Sequence, residues 1–160
     1  PPRIRARIIA SLRSTRRPSP LGTHPLRPDF ERLRDYRELM SVRMWPRLRY
    51  TLELPPELAD CPVPALLLQP LVENSIKHGL EPKVNGGSIT VQARLEAGLL
   101  VLAVTDTGVG LSTPVPTSSG FGLSQVRERL VTAYGLRGAI NFIANEAGGT
   151  VTTLTLPYPA

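Results

Sequence analysis

The chain has 160 residues, of which 41% are hydrophobic and 5% aromatic, with a formal net charge of +6. That length suffices for one domain with its own core. No apolar run approaches a membrane span, and the lone cysteine, Cys61, excludes an internal disulfide. The charge is lopsided: residues 1–49 hold 13 Arg against 4 acids, and the other 111 residues hold 6 Lys or Arg against 9 acids. The basic front lacks interleaved aromatics, a binding motif, a long apolar segment and a cleavage site. It therefore reads as a solvated arm, neither a nucleic-acid surface nor a signal peptide.

Prolines 18, 20, 25 and 28 forbid a continuous helix between Ser14 and Pro28. Residues 1–28 are therefore expected to be a poorly ordered arm, removable with little change in thermal midpoint. Asp29 suits the N-cap of a connecting helix over 29–45, with Leu33, Tyr36, Leu39 and Met40 at helical spacing. A core over 46–157 then follows. Leu48 to Leu54 alternates and reads as a strand, and Pro55 to Pro64 as a linker. Pro64 suits the first turn of a helix ending at Gly79, with a kink expected at Pro70. Ser88 to Leu95 and Leu99 to Asp106 form a hairpin across Glu96-Ala97-Gly98. Leu123 to Tyr134 is a helix stopped by Gly135, and a second hairpin pairs Ala139–Asn145 with Gly149–Leu156. Helices alternating with hairpins predict a two-layer α/β sandwich, with one mixed, mostly antiparallel sheet and helices on a single face.

Three stretches carry chemistry. In Pro64 to Gly79, residues Leu68, Val72, Ser75, Ile76 and Gly79 share one side at helical period. Asn74, Lys77 and His78 fall on the far side. Glu73 lies on the flank, placed for an ion pair with Lys77 four residues on. Taken alone, this is an ordinary solvated face. The second stretch is Asp106 to Leu111, Asp-Thr-Gly-Val-Gly-Leu. A carboxylate at a strand's end can accept a hydrogen bond from an exocyclic amine such as adenine N6, and Gly108 and Gly110 let a planar base approach the backbone. The third is Gly120-Phe121-Gly122-Leu123, after a polar, Pro-punctuated loop. It opens a helix whose free amides and positive dipole end suit an anion.

In this order the stretches resemble the N, G1 and G2 boxes of the GHKL ATPase superfamily. The wording of "PALLLQPLVENSIKHGLEP", "VTDTGVGL", "GFGLSQVRERL" and "GGTVTTLTLP" is similar to the ATP-binding domain of LytS/AlgZ-type sensor histidine kinases. "LRDYRELMSVRMWPRLRYTLELPPEL" resembles the segment joining that family's dimerisation helices to its catalytic domain. The likeness spans about Asp29 to Pro157 and implies the Bergerat-type ATP-binding fold, with ATP and Mg²⁺ as cofactors. It implies that Asn74 coordinates the Mg²⁺ bridging the phosphates, an ion that an amide oxygen suits. It places Lys77 and His78 near phosphates or lid, and Glu73 at the metal's waters. Asp106 would bind adenine N6, with Gly108, Gly110 and Leu111 shaping the pocket. Gly120 and Gly122 would let the lid close, the amides around Phe121 and Leu123 would meet phosphate, and Thr150 would support the adenine end.

The family transfers the γ-phosphoryl group of ATP to its own histidine, in an "NPHFLFN"-like box on a preceding helix. This chain has no such box. Its one upstream histidine, His24, is flanked by proline and expected off any helix, and His78 belongs to the nucleotide site. The resemblance therefore implies a catalytic domain whose phosphoacceptor lies outside this chain, through truncation or action in trans. Its partners would be the dimerisation helices, through them a response regulator, and a second copy of the kinase. Its compartment would be the cytoplasm. A non-catalytic ATP-binding module and an anti-sigma-type serine kinase are the alternatives; a gyrase-like hydrolase fits least.

Overall fold

The computed structural model describes residues 22–44, 46–110 and 121–158. Its elements are β1 (Thr23–Pro25), α1 (Leu26–Met44), β2 (Leu48–Glu53), a 3-10 turn (Pro56–Leu58), β3 (Pro62–Pro64) and α2 (Leu68–Asn74). After α2 come a π-helical turn (Ser75–Leu80), β4 (Gly87–Glu96), β5 (Leu99–Asp106), α3 (Phe121–Tyr134), a second 3-10 turn (Gly135–Arg137), β6 (Ala139–Ala144) and β7 (Thr150–Pro157). The main sheet runs β2-β4-β5-β7-β6, and only the β2–β4 pair is parallel. The expected mixed, mostly antiparallel sheet with its helices is therefore the fold. Among the described residues, no helix is long and apolar enough to cross a membrane.

A period-2 pattern sets the packing of β4 and β7, while central β5 is buried on both faces from Leu100 to Val104. Ile89, Val91 and Ala93 of β4, Leu100, Leu102 and Val104 of β5, and Leu154 and Leu156 of β7 join one buried cluster with the helices' apolar faces. That cluster includes Leu68, Leu71, Val72 and Ile76 from α2 and its turn, and Val126 and Leu130 from α3. Ala97 and Gly98, at φ 52° and 77°, close the β4–β5 hairpin with the paired positive φ that a tight two-residue turn needs. At the parallel edge, Gly87 N–H donates to Arg47 O at 2.8 Å. A Cβ on Gly86 would stand 2.1 Å from that carbonyl, so only glycine admits the approach.

Three expectations change. The connecting helix starts at Leu26, not after Asp29. Leu26 N–H and Arg27 N–H donate to Cys61 O (3.0 Å) and Ala59 O (2.8 Å), so the loop after the first 3-10 turn satisfies amides that a capping side chain would otherwise serve. Pro28 falls in the first turn, where its missing N–H costs nothing. Asp29 is buried instead, accepting a 2.9 Å hydrogen bond from His24 Nε2 on β1. Burial pushes its carboxyl above the usual carboxylate range, with the His24 ring opposing the rise. His24 does lie off any helix. Leu39, expected on the apolar face, is 61% exposed.

The second change concerns α2. Pro64 is on β3 and Leu66 takes φ 59°, so helical backbone begins only at Leu68. Pro70 then sits in the first turn and kinks nothing. The irregularity comes later, where Glu81 N–H reaches back to Ile76 O at 2.8 Å and widens the last turn.

The third concerns the arm. The part expected to be poorly ordered that falls on residues 1–21 lies outside the described residues. From Thr23 onward the chain is built into the domain: β1 pairs with β3, Thr23 opposite Pro64, and Leu26 is fully buried. The described part of the arm is thus packed onto the domain. A chain beginning at Asp29 should melt at least about 5 °C below one beginning at Gly22, because it forfeits a buried leucine and a strand pair; scanning calorimetry of the two deletions checks this.

Candidate functional site

Asp106 ends the central strand β5, between Ile89 of β4 and Thr150 of β7 in register. It is 3% exposed. The chain turns at once: Gly108 N–H donates to Asp106 Oδ1 at 2.9 Å, and Thr107 N–H donates to Ser88 O at 3.0 Å. Ser88 N–H donates to Thr107 Oγ1 at 2.9 Å, and Lys83 Nζ donates to Thr107 O at 2.8 Å. Asn145 Nδ2 donates to Asp106 O at 3.2 Å. Burial lifts the Asp106 carboxyl above its ordinary range. The Gly108 amide, the Ser75 hydroxyl and the Thr150 backbone pull the other way. A desolvated carboxylate held in one orientation is a strong acceptor for a ligand amine.

The widened turn after α2 meets this carboxylate. A Cβ on Gly79 would stand 3.1 Å from Asp106 Oδ1, and one on Gly108 would stand 2.2 Å from Gly79 O. Val109 N–H donates to that same carbonyl at 2.9 Å. The α2 region and the Asp106 turn are thus joined backbone to backbone. Ser75, Ile76 and Gly79 are buried, as the sequence period required. Asn74 and His78 are half-buried and Lys77 is exposed. Glu73 is exposed too, but its Oε1 accepts from Gln69 Nε2 at 3.0 Å. Among the described residues, the expected Glu73–Lys77 ion pair is absent, because Gln69 holds the carboxylate toward the helix start.

Gly110, at φ 85°, lies beside Gly149, at φ 91°. Thr150 opens β7 directly opposite Asp106. Phe121 and Gly122 form the first turn of α3, and Leu123 packs half-buried against the core. Leu111, Gly120 and the polar loop between them lie outside the described residues.

Sequence reasoning missed Ser75, Gly79, Lys83, Asn145 and Gly149. Gly79 was legible as a buried stripe position and a helix stop, and Gly149 as the start of a hairpin strand, but neither as a close contact. Their contacts with Asp106 cross long sequence separations that no local pattern carries. A Cβ on Gly149 would stand 2.0 Å from Asp106 O. Gly149→Ala should therefore destabilise the fold by about 2 kcal/mol or more, read by urea denaturation, and weaken nucleotide binding in parallel.

Residues 62–160 match the family described as histidine kinase-, DNA gyrase B-, and HSP90-like ATPase. The chain belongs to that family and has its ATP-binding domain. Among its relatives are the sensor histidine kinases BtsS of Escherichia coli K12, 34% identical over 146 residues, and YesM of Bacillus subtilis 168, 32% identical over 128. Those matches take in 91% and 78% of this chain but 26% and 22% of the relatives, so the chain spans about a quarter of their length. The fold is that of the histidine kinase domain of the Erythrobacter litoralis EL346 blue-light activated kinase, with TM-score 0.64 and 19% identity over 84% of this chain and 65% of that one. It is also that of the catalytic domain of histidine kinase ThkA, with TM-score 0.63 and 17% identity over 85% of this chain and 95% of that one. Within the family, the chain is an ATP-binding catalytic domain of the sensor histidine kinase kind.

Proposed function

We propose that the domain binds Mg-ATP at the end of β5 and α2, and passes the γ-phosphoryl group to a histidine on the dimerisation helices of a sensor kinase. The observation that carries this reading is the buried Asp106 carboxylate, oriented by Gly108 and set against the helical turn bearing Asn74 and His78. Asp106 accepts a hydrogen bond from the adenine amine. Gly110 leaves room for the ring, Gly108 lets the Asp106 turn close on the Gly79 carbonyl, and Thr150 supports the ring from β7. Lys77 and His78 face the phosphates, joined by the first amides of α3 at Phe121, Gly122 and Leu123.

The donor chemistry suits a magnesium ion: half-buried Asn74 at the end of α2 carries an amide oxygen, with the Glu73 carboxylate next to it in the chain. Mg²⁺ typically takes one or two protein oxygens and completes its shell with phosphates and water. Asn74 offers the amide oxygen, and Glu73 a carboxylate to order the water. Bound there, the ion would neutralise charge on the phosphate oxygens.

In the transfer, an imidazole nitrogen of the acceptor bonds to the γ-phosphorus as the bond from that phosphorus to the β–γ bridging oxygen breaks, and ADP leaves. Positioning and charge neutralisation suffice for such chemistry. The partner is therefore the phosphoacceptor helix pair and, beyond it, a response regulator, in a homodimeric kinase whose catalytic domain works in the cytoplasm, where ATP is plentiful. The product's phosphoamino acid separates this reading from a serine kinase, since phosphohistidine is acid-labile.

Calorimetric titration with ATP should show saturable binding that tightens with Mg²⁺. Asp106→Asn should weaken it at least roughly tenfold, about 1.4 kcal/mol; unchanged affinity would remove the base-reading role. In a second titration series, Asn74→Ala should abolish the Mg²⁺ dependence while leaving metal-free binding intact. Persistence of that dependence would mean another residue holds the ion.

A further inference from the structure

We infer that Lys83 is a positioning residue that sets base selectivity, acting on Asp106 through the single peptide group between Thr107 and Gly108. The Lys83 ammonium donates to Thr107 O at 2.8 Å, and Gly108 N–H donates to Asp106 Oδ1 at 2.9 Å. That carbonyl and that amide belong to the same planar peptide unit. A cation at its oxygen draws electron density away from the nitrogen and makes the N–H a better donor to the carboxylate. The array runs ammonium, carbonyl, amide, carboxylate, with the charges at opposite ends of an aligned dipole. Its effect is to fix the rotation of the Asp106 side chain and to favour the ionised acceptor that an amine needs.

Lys83 is itself held for this task. Its N–H donates to Leu80 O at 3.1 Å and its carbonyl accepts from Gly86 N–H at 2.9 Å, so it sits in a tight strap after the widened α2 turn. The strap is pinned to α1 and the turn after it. Arg43 pairs with Glu81 at 2.9 Å, and Gly87 N–H donates to Arg47 O at 2.8 Å. Lys83 stays half-buried. Its ammonium contacts the Thr107 carbonyl, and its action on the ligand runs through Asp106.

This inference rests on the base-reading role of Asp106, and the test separates the two. Affinities for ATP and for inosine triphosphate, which carries an oxygen in place of the adenine amine, are measured by calorimetry on the wild-type chain, Lys83→Met, Lys83→Arg and Asp106→Asn. Thermal midpoints are recorded alongside. Lys83→Met should lower the ATP-over-ITP preference roughly tenfold, mostly through weaker ATP binding, about 1.4 kcal/mol. Lys83→Arg, which keeps a cationic donor, should restore most of that preference. Equal losses for both nucleotides, or no loss, in Lys83→Met while Asp106→Asn collapses the preference would overturn the Lys83 role and leave the base reading standing. An unaltered preference in Asp106→Asn would overturn both. Should Lys83→Met fail to fold, Lys83→Gln, which keeps a donor without the charge, supplies the same comparison and should show a reduced preference.

Discussion

The structure depends on one buried charge. Asp106 ends the central strand with almost no solvent, and an isolated carboxylate there would be costly. The surrounding parts compensate. The Gly108 amide donates a hydrogen bond to it, the Ser75 hydroxyl and the Thr150 backbone also favour its ionised form, and each comes from a different element. The strand, the widened helical turn and β7 are in this sense gathered around an acceptor. Burial still holds the carboxyl above its ordinary range, and perturbed groups of this kind cluster at binding sites.

Close backbone approach makes that gathering possible. The α2 turn reaches the Asp106 turn because Gly79 and Gly108 lack side chains, and β7 reaches it because Gly149 does. A methyl group at either of the last two positions would displace backbone, not a flexible side chain. The π-helical widening belongs to the same geometry. It leaves the Gly79 carbonyl free to accept Val109 N–H, while Glu81 closes the helix onto Ile76. The candidate site and the local irregularity thus coincide at one turn, a common pattern for such bulges.

The elements outside the site hold its frame. Helix α1 begins where a loop carbonyl pair receives its first amides, and it ends where Arg43 and the Arg47 carbonyl meet the strap after α2. Helix α1 and the turn after it therefore contact the same strap that bears Lys83. The small β1–β3 sheet anchors its start, with His24 and Asp29 paired across that junction.

The sequence by itself determined the five strands of the main sheet, the buried stripe of α2 and the candidate residues, while β1 and β3 read only as arm and linker. The continuous apolar run in Leu99 to Asp106 and the helical period in Leu68 to Gly79 are local properties, and burial followed them: Leu102 and Ile76 are both inside. Asn74, Asp106 and Thr150 were legible because their residue types follow each other in a recognisable order. Tertiary structure decided the rest. It chose Leu26 over Asp29 as the helix start, because distant carbonyls at Ala59 and Cys61 substitute for a cap. It gave Glu73 to Gln69, and it turned Gly79 and Gly149 from punctuation into clearances. It set Lys83 against a carbonyl 24 positions away. Such contacts depend on which segments lie side by side, and that is fixed by the packing of the whole sheet and its helices.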